Sequence, residues 1–179
     1  MMKTVVGTIF LLAIAMGTFT SCGDSQEPDI QEESIPQEQA ESQGTWTIED
    51  NGLKMVMDIP DHIDETEVSS NYNTVLGRSE VFLGGDMMFS ISEEERSIED
   101  LKADLRDDQL FTYKFYDEGT QALLYQAVLP NGEEYLYQYA RELEVSGKRY
   151  FIHTDQDAEY SLQRIRMLKS AINSLVSIQ

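Results

Sequence analysis

The hydrophobic and polar positions change period repeatedly along this chain. Around "TWTIEDNGLKMVMDIP", Leu53, Met55, Met57 and Ile59 alternate with more polar residues until Pro60 closes the run, which is the period of a half-buried strand. Asn51 and Gly52 precede it, and because both tolerate positive φ they predict a tight hairpin. The stretch "PDHIDETEVSSNYNT" shows neither period and is expected to be loop. "SEVFLGGDMMFSIS" then reads as a second hairpin turning at Gly84 and Gly85.

In "SIEDLKADLRDDQL" the apolar residues Ile98, Leu101 and Leu105 fall at helical intervals. Ser97 is placed to cap that helix, and the acids of its first turn suit the helix dipole. Four strand patterns follow: "FTYKFYD", "TQALLYQAVLP", "EEYLYQYARELE" and "RYFIHT". Their turns fall at Glu118-Gly119, Asn131-Gly132 and Ser146-Gly147, short enough to imply antiparallel pairing. "ALLYQAVL" is apolar almost throughout and is expected to be a central strand covered on both faces. The closing segment "DAEYSLQRIRMLKSAINSLVSI" puts Leu162, Ile165, Leu168, Ile172 and Leu175 on one stripe, a helix that lies across the sheet. Arg164 and Lys169 fall off the stripe, and Lys169 is expected to face water. Strands, helix, strands and helix in that order give an α+β domain, an antiparallel β-sheet flanked by helices.

The first residues differ in kind. "MMKTVVGTIFLLAIAMGTFTSC" carries one charge at Lys3, an apolar run from about Val5 to Met16, and then small polar residues. The run is shorter than the roughly 20 residues that span a bilayer, and its order is that of a secretory signal. The only cysteine, Cys22, follows directly. "FTSC" resembles a bacterial lipobox, which implies cleavage before Cys22, lipidation of its thiol and attachment to the cell envelope, most simply the outer membrane on its periplasmic or surface face. An incidental thiol beside an ordinary cleavage site, or an uncleaved anchor, are the competing readings. Seven acids and no base lie between Cys22 and Thr45, a composition too polar to fold and therefore a self-repelling tether of about 25 to 30 Å. Asp24, Glu27 and Asp29 in it are similar to surface-export signals of Bacteroidota-type lipoproteins. The expected organisation is a signal peptide at 1–21, a tether at 22–45 and one folded domain at 46–179.

Charge removes some function classes. The 179 residues hold 33 acids and 13 bases, a net charge of −20, so nucleic acid and anionic lipid surfaces are poor partners. No nucleophile elbow appears, and the histidines His62 and His153 are too few to suggest a catalytic or zinc-binding set. "DQDAE" at 155–159 lacks the glycine and distant glutamate of a calcium loop, and Met55, Met57, Met87 and Met88 read as core packing before copper ligands. No metal and no cofactor are expected. Tyr135, Tyr137 and Tyr139 alternate, which would place three rings on one strand face as a stacking surface for sugar or peptide, or half-buried beneath a helix with their hydroxyls at the rim.

The strand ending in "MVMDIP", the hairpin, the Ser-capped "SIEDLKADL", the meander and the closing "AINSLVSI" together resemble the PsbP-like fold of small DcrB-like envelope lipoproteins. That resemblance implies a layered sandwich over 46–179 and a non-catalytic binding or assembly role with a protein partner. An enzyme that processes envelope polymers with carboxylates, and an acidic immunity or chaperone protein for a basic effector, are the alternatives. A cleft holding carboxylates of raised pKa would mark the first, and a single strongly negative face the second.

Overall fold

The structure is a computed structural model that describes residues 42–178; the signal segment, Cys22 and the tether up to residue 41 lie outside the described residues. Strands β1 (Ser42–Asp50) and β2 (Leu53–Pro60) form the first hairpin. Its turn residues Asn51 and Gly52 have φ of 46° and 83°, the left-handed values that a two-residue turn demands. β1 starts at Ser42, so the strand takes in residues expected to belong to the tether.

The segment expected to be loop contains a strand. A 3-10 turn at Glu65–Glu67, capped by Asp64, leads into β3 (Val68–Asn73), which pairs with β4 (Arg78–Leu83). Val68, Ser70 and Tyr72 face inward and Ser69 and Asn71 outward, so the period of two is present but written mostly in polar residues. β4 turns through Gly84 and Gly85 into β5 (Met87–Glu93). A Cβ on Gly84 would lie 2.9 Å from Ile63 Cδ1, and the residue holds φ +62°. Gly84→Ala is therefore expected to cost about 1 to 2 kcal/mol, measured as a lowered urea midpoint.

Helix α1 (Ile98–Asp107) starts at Ser97, whose hydroxyl accepts from Asp100 N–H while Asp100 accepts from Ser97 N–H. The chain then makes the expected meander of β6 (Thr112–Glu118), β7 (Ala122–Val128), β8 (Glu134–Val145) and β9 (Lys148–Thr154). Helix α2 (Leu162–Ser174) follows, capped by Ser161. It stops before the end of its apolar pattern: Leu175 caps it, and β10 (Val176–Ser177) pairs with β2. The expected helix over the last residues is thus cut short, because Val176 and Ser177 gain a strand partner there.

The seven-stranded sheet has the order β3-β4-β5-β9-β8-β7-β6, and β1-β2-β10 make a second, smaller sheet, every pair antiparallel. β7 is covered on both faces as expected, but it is second from an edge, and β9 occupies the middle. One face of the large sheet packs against α2 and the small sheet, with Phe89, Tyr139, Ile152, Met57, Ile165 and Leu168 among the side chains of that core. On the other face a smaller cluster joins Ile98 and Leu101 of α1 to Leu123, Tyr125, Ala140 and Phe151.

Candidate functional site

Helix α1 covers only part of its face of the sheet. It is fixed over the β6 to β8 side, where the Ile98 N–H donates to Glu142, Lys102 pairs with Glu118 at 3.7 Å and Arg106 lies over the Phe115 ring at 5.6 Å. Across β4, β5 and β9 the outward residues Arg78, Met88, Ser90 and Ser92 remain half-exposed. A groove of about 360 Å³ runs there. The pairings Arg78↔Ser92 and Phe89↔Thr154 set its two ends. Leu76, Arg78, Ser92, Glu94 and Arg96 line one, and Met88, Thr154, Asp155, Gln156 and Asp157 the other.

His153 lies in the floor between them and is 6 % exposed. Its Nδ1 is 2.6 Å from the carbonyl oxygen of Thr154, and a carbonyl only accepts, so Nδ1 carries the proton. Nε2 therefore accepts the Tyr125 hydroxyl at 2.7 Å. Burial holds the imidazole neutral, with its pKa pushed down to about 4; the Thr154 carbonyl opposes this, and the positive charges of Arg96 and Arg78 reinforce it. Burial likewise raises the pKa of Tyr125. Phe151 stacks on the imidazole with 9° between the planes, and Arg96 covers Phe151 from outside at 5.5 Å.

The remaining polar groups are engaged within the protein. Ser90 Oγ donates to the carbonyl of His153 at 3.4 Å rather than to its ring, and Ser92 Oγ lies 3.2 Å from the carbonyl of Phe151 and 2.6 Å from Glu94 Oε1. Arg78 donates through Nε and Nη2 to Glu80 at 3.1 and 3.0 Å, and Arg96 reaches Asp104 at 2.6 Å. The hydroxyl that meets the imidazole is that of Tyr125, buried and with its pKa raised, the reverse of an activated nucleophile. The arrangement offers a shaped, polar surface rather than an activated group.

The residues singled out in the sequence are distributed otherwise. Cys22 is outside the described residues, and so is the side chain of Tyr135. Tyr139 is 1 % exposed, its hydroxyl donating to Asn173 at 2.6 Å and its pKa raised by burial to about 12. Tyr137 is half-buried, its ring 5.9 Å from that of Tyr116. Tyr137 and Tyr139 thus belong to the face packed beneath α2, so an open stacking surface does not include Tyr139. The register shift opposite Gln126 and Val128 also breaks the strict alternation between Glu134 and Tyr137.

His62 is exposed in the turn after β2 at φ 68°, whereas His153 is buried in β9. Met55, Met57 and Met87 fill the main core while Met88 lies on the opposite face, so the four are not gathered as a ligand set. Asp155 Oδ1 accepts from the Asp157 N–H at 3.1 Å, which shapes the turn before the cap of α2; these acids precede the helix instead of occupying its first turn. Among the described residues no three His, Cys, Asp or Glu are grouped as metal ligands, and no helix is long and apolar enough to cross a membrane.

The groove itself went unread in the sequence. Its signals were Ser90 and Ser92 alternating with Phe89 and Ile91, and Arg78 and Glu80 two positions apart, each pair marking a strand face left uncovered. Compared with known proteins, the chain matches no family model, no curated sequence and no solved structure.

Proposed function

We propose that this chain is a lipid-anchored protein of the cell envelope whose domain is a non-catalytic binding or assembly module with a protein partner, layered in the PsbP-like manner and carried on the outer membrane through Cys22. The observation that carries the reading is the groove across β4, β5 and β9, a built surface whose imidazole has both nitrogens engaged and whose Ser90 and Ser92 hydroxyls are engaged by the His153 carbonyl and by Glu94. Carboxylates point the same way. Asp64, Asp100, Asp108 and Glu134 all have lowered pKa values, chiefly from hydrogen bonds that favour the charged form, the opposite of what a general acid needs. The order of elements, including the Ser-capped α1 and the closing α2, supports the PsbP-like comparison. The signal-like first residues, Cys22 and the acidic stretch after it support the anchor.

Two experiments test this. Cys22→Ala is expected to move the protein to the soluble fraction or to leave an unprocessed precursor, read by fractionation and mass spectrometry; a processed variant that still needs detergent for release would sink the anchor. Protease added to intact cells then tells the surface face from the periplasmic one. For the domain, cross-linked membranes are expected to yield one envelope protein in stoichiometric amount with the tagged chain. Turnover of an envelope polymer by the pure protein, lost on substitution of groove acids, would replace the binding module with an enzyme.

A further inference from the structure

The uncovered strip of the sheet has a shape, a charge and an apolar mouth that together select a ligand. Its length follows from the strand: Met88 to Ser92 spans about 13 Å, the reach of four residues of extended chain. Its basic residues are already neutralised, Arg78 by Glu80 and Arg96 by Asp104. Its acids are not. Among the described residues Glu94, at one end, and Asp155 and Asp157, at the other, have no cationic partner, and the whole chain adds a field of net charge −20 that draws cations toward such a cleft.

The mouth beside Leu76 is apolar and held in place. Val75 is 90 % and Leu76 55 % exposed. Asn73 Oδ1 accepts from both their backbone N–H groups at 3.1 Å, its Nδ2 donates to Glu80 at 3.2 Å, and Gly77 closes the turn at φ 67°. Leu76 thus stands at the end of the groove on a turn whose backbone is fixed before binding, which arranges it as a contact.

The geometry points to a docking surface for an extended basic segment of a protein partner, lying along β5 with an apolar side chain against Leu76 and Lys or Arg side chains against Glu94, Asp155 and Asp157. This rests on the binding-module reading above and names the chemistry of its partner. The spacing of the two acidic ends asks for basic residues about four positions apart. Charge gives such a complex a fast, salt-sensitive association, and the apolar contact at Leu76 fixes its register.

The test uses the full chain in detergent and three fluorescent probes: a nonapeptide of Lys and Leu with lysines four apart, its counterpart with Glu in place of Lys, and a neutral glucose hexasaccharide, each followed by anisotropy. The Lys peptide is expected to bind. Asp155→Asn with Asp157→Asn, which keeps the turn-forming acceptor of Asp155, is expected to weaken it about tenfold, and Leu76→Ser, on an exposed turn that leaves the fold intact, by a similar factor. Glu65→Gln with Glu144→Gln, an equal loss of charge away from the groove, is expected to change it less than about twofold. Equal weakening by that control pair overturns the site, since attraction is then only to net charge. Binding of the hexasaccharide or the Glu peptide, abolished by the groove substitutions, overturns the basic ligand while leaving the binding module standing. No binding by any probe also overturns it; the binding module falls separately, on polymer turnover.

Discussion

Leu168→Ala is expected to destabilise the domain by about 2 to 5 kcal/mol, because it opens a cavity in a core that closes only partly around it. Leu168 is 0 % exposed and lies in the middle of α2, between the small sheet and the large one, in one cluster with Met57, Phe89 and Tyr139. Apart from the pairing of Lys169, the polar contacts of α2 gather near its ends, with Arg164 on Asp86 at one and Arg141 on the Ile172 carbonyl at the other, so its middle is held by that packing. Its neighbour supplies the contrast. Sequence periodicity turns Lys169 to water, but in the structure its Nζ is 2.6 Å from Asp117 Oδ2 and 5.8 Å from the centre of the Tyr139 ring, with the lysine side chain 20 % exposed. A half-buried ion pair with a ring contact contributes about 1 kcal/mol, so Lys169→Ala is expected to cost about that much and not the negligible amount of a solvated lysine. Urea unfolding of both variants in one soluble background checks the ratio. Equal costs would mean that α2 does not dock along its Leu168 stripe.

The second large effect is on acid stability. His153 keeps a pKa of about 4 in the folded protein against 6.5 for an ordinary imidazole, so between those values the unfolded chain binds the extra proton. Stability is full above pH 6.5 and is lost as pH falls toward 4. The whole loss is on the order of 3 kcal/mol, about 2 kcal/mol of it between pH 7 and 5. The hydrogen-bonded carboxylates act later: Asp64, Asp100, Asp108 and Glu134 are held below the ordinary values of 3.8 for Asp and 4.5 for Glu, so their contribution fades only below that range. Protonation of the many surface acids relieves repulsion and works in the opposite direction, again mainly below pH 5. His153→Gln is therefore expected to flatten the slope of unfolding free energy from pH 7 to 5 while lowering stability at pH 7. An unchanged slope in that variant would take the imidazole out of the account.

What the sequence made legible depends on how local the cause is. The hairpins at Asn51-Gly52, Gly84-Gly85 and Ser146-Gly147 were readable because positive φ is a property of two residues, and α1 because its Ser97 cap and apolar spacing sit within one short segment. β3 was not, since "VSSNYN" at a sheet edge needs few apolar residues on either face. The stop of α2 at Ser174 was hidden too, for the strand that replaces its last turn is set by β2, far back in the chain. The pairing of Lys169 with Asp117 and the floor of the groove have the same origin. Arg78, Ser90 and His153 become neighbours only when β4, β5 and β9 align, and single-chain periodicity carries no such register.

The pairing of β2 with β10 also fixes a timetable. The hairpin of β1 and β2 forms between neighbouring residues, yet Met55, Met57 and Ile59 are covered in part by α2, and the free edge of β2 by Val176 and Ser177, which lie far along the chain. Until α2 and β10 are in place, the hairpin lacks part of its apolar cover and has one open edge. Contacts of such separation close slowly, so the small sheet is completed only after α2 has docked.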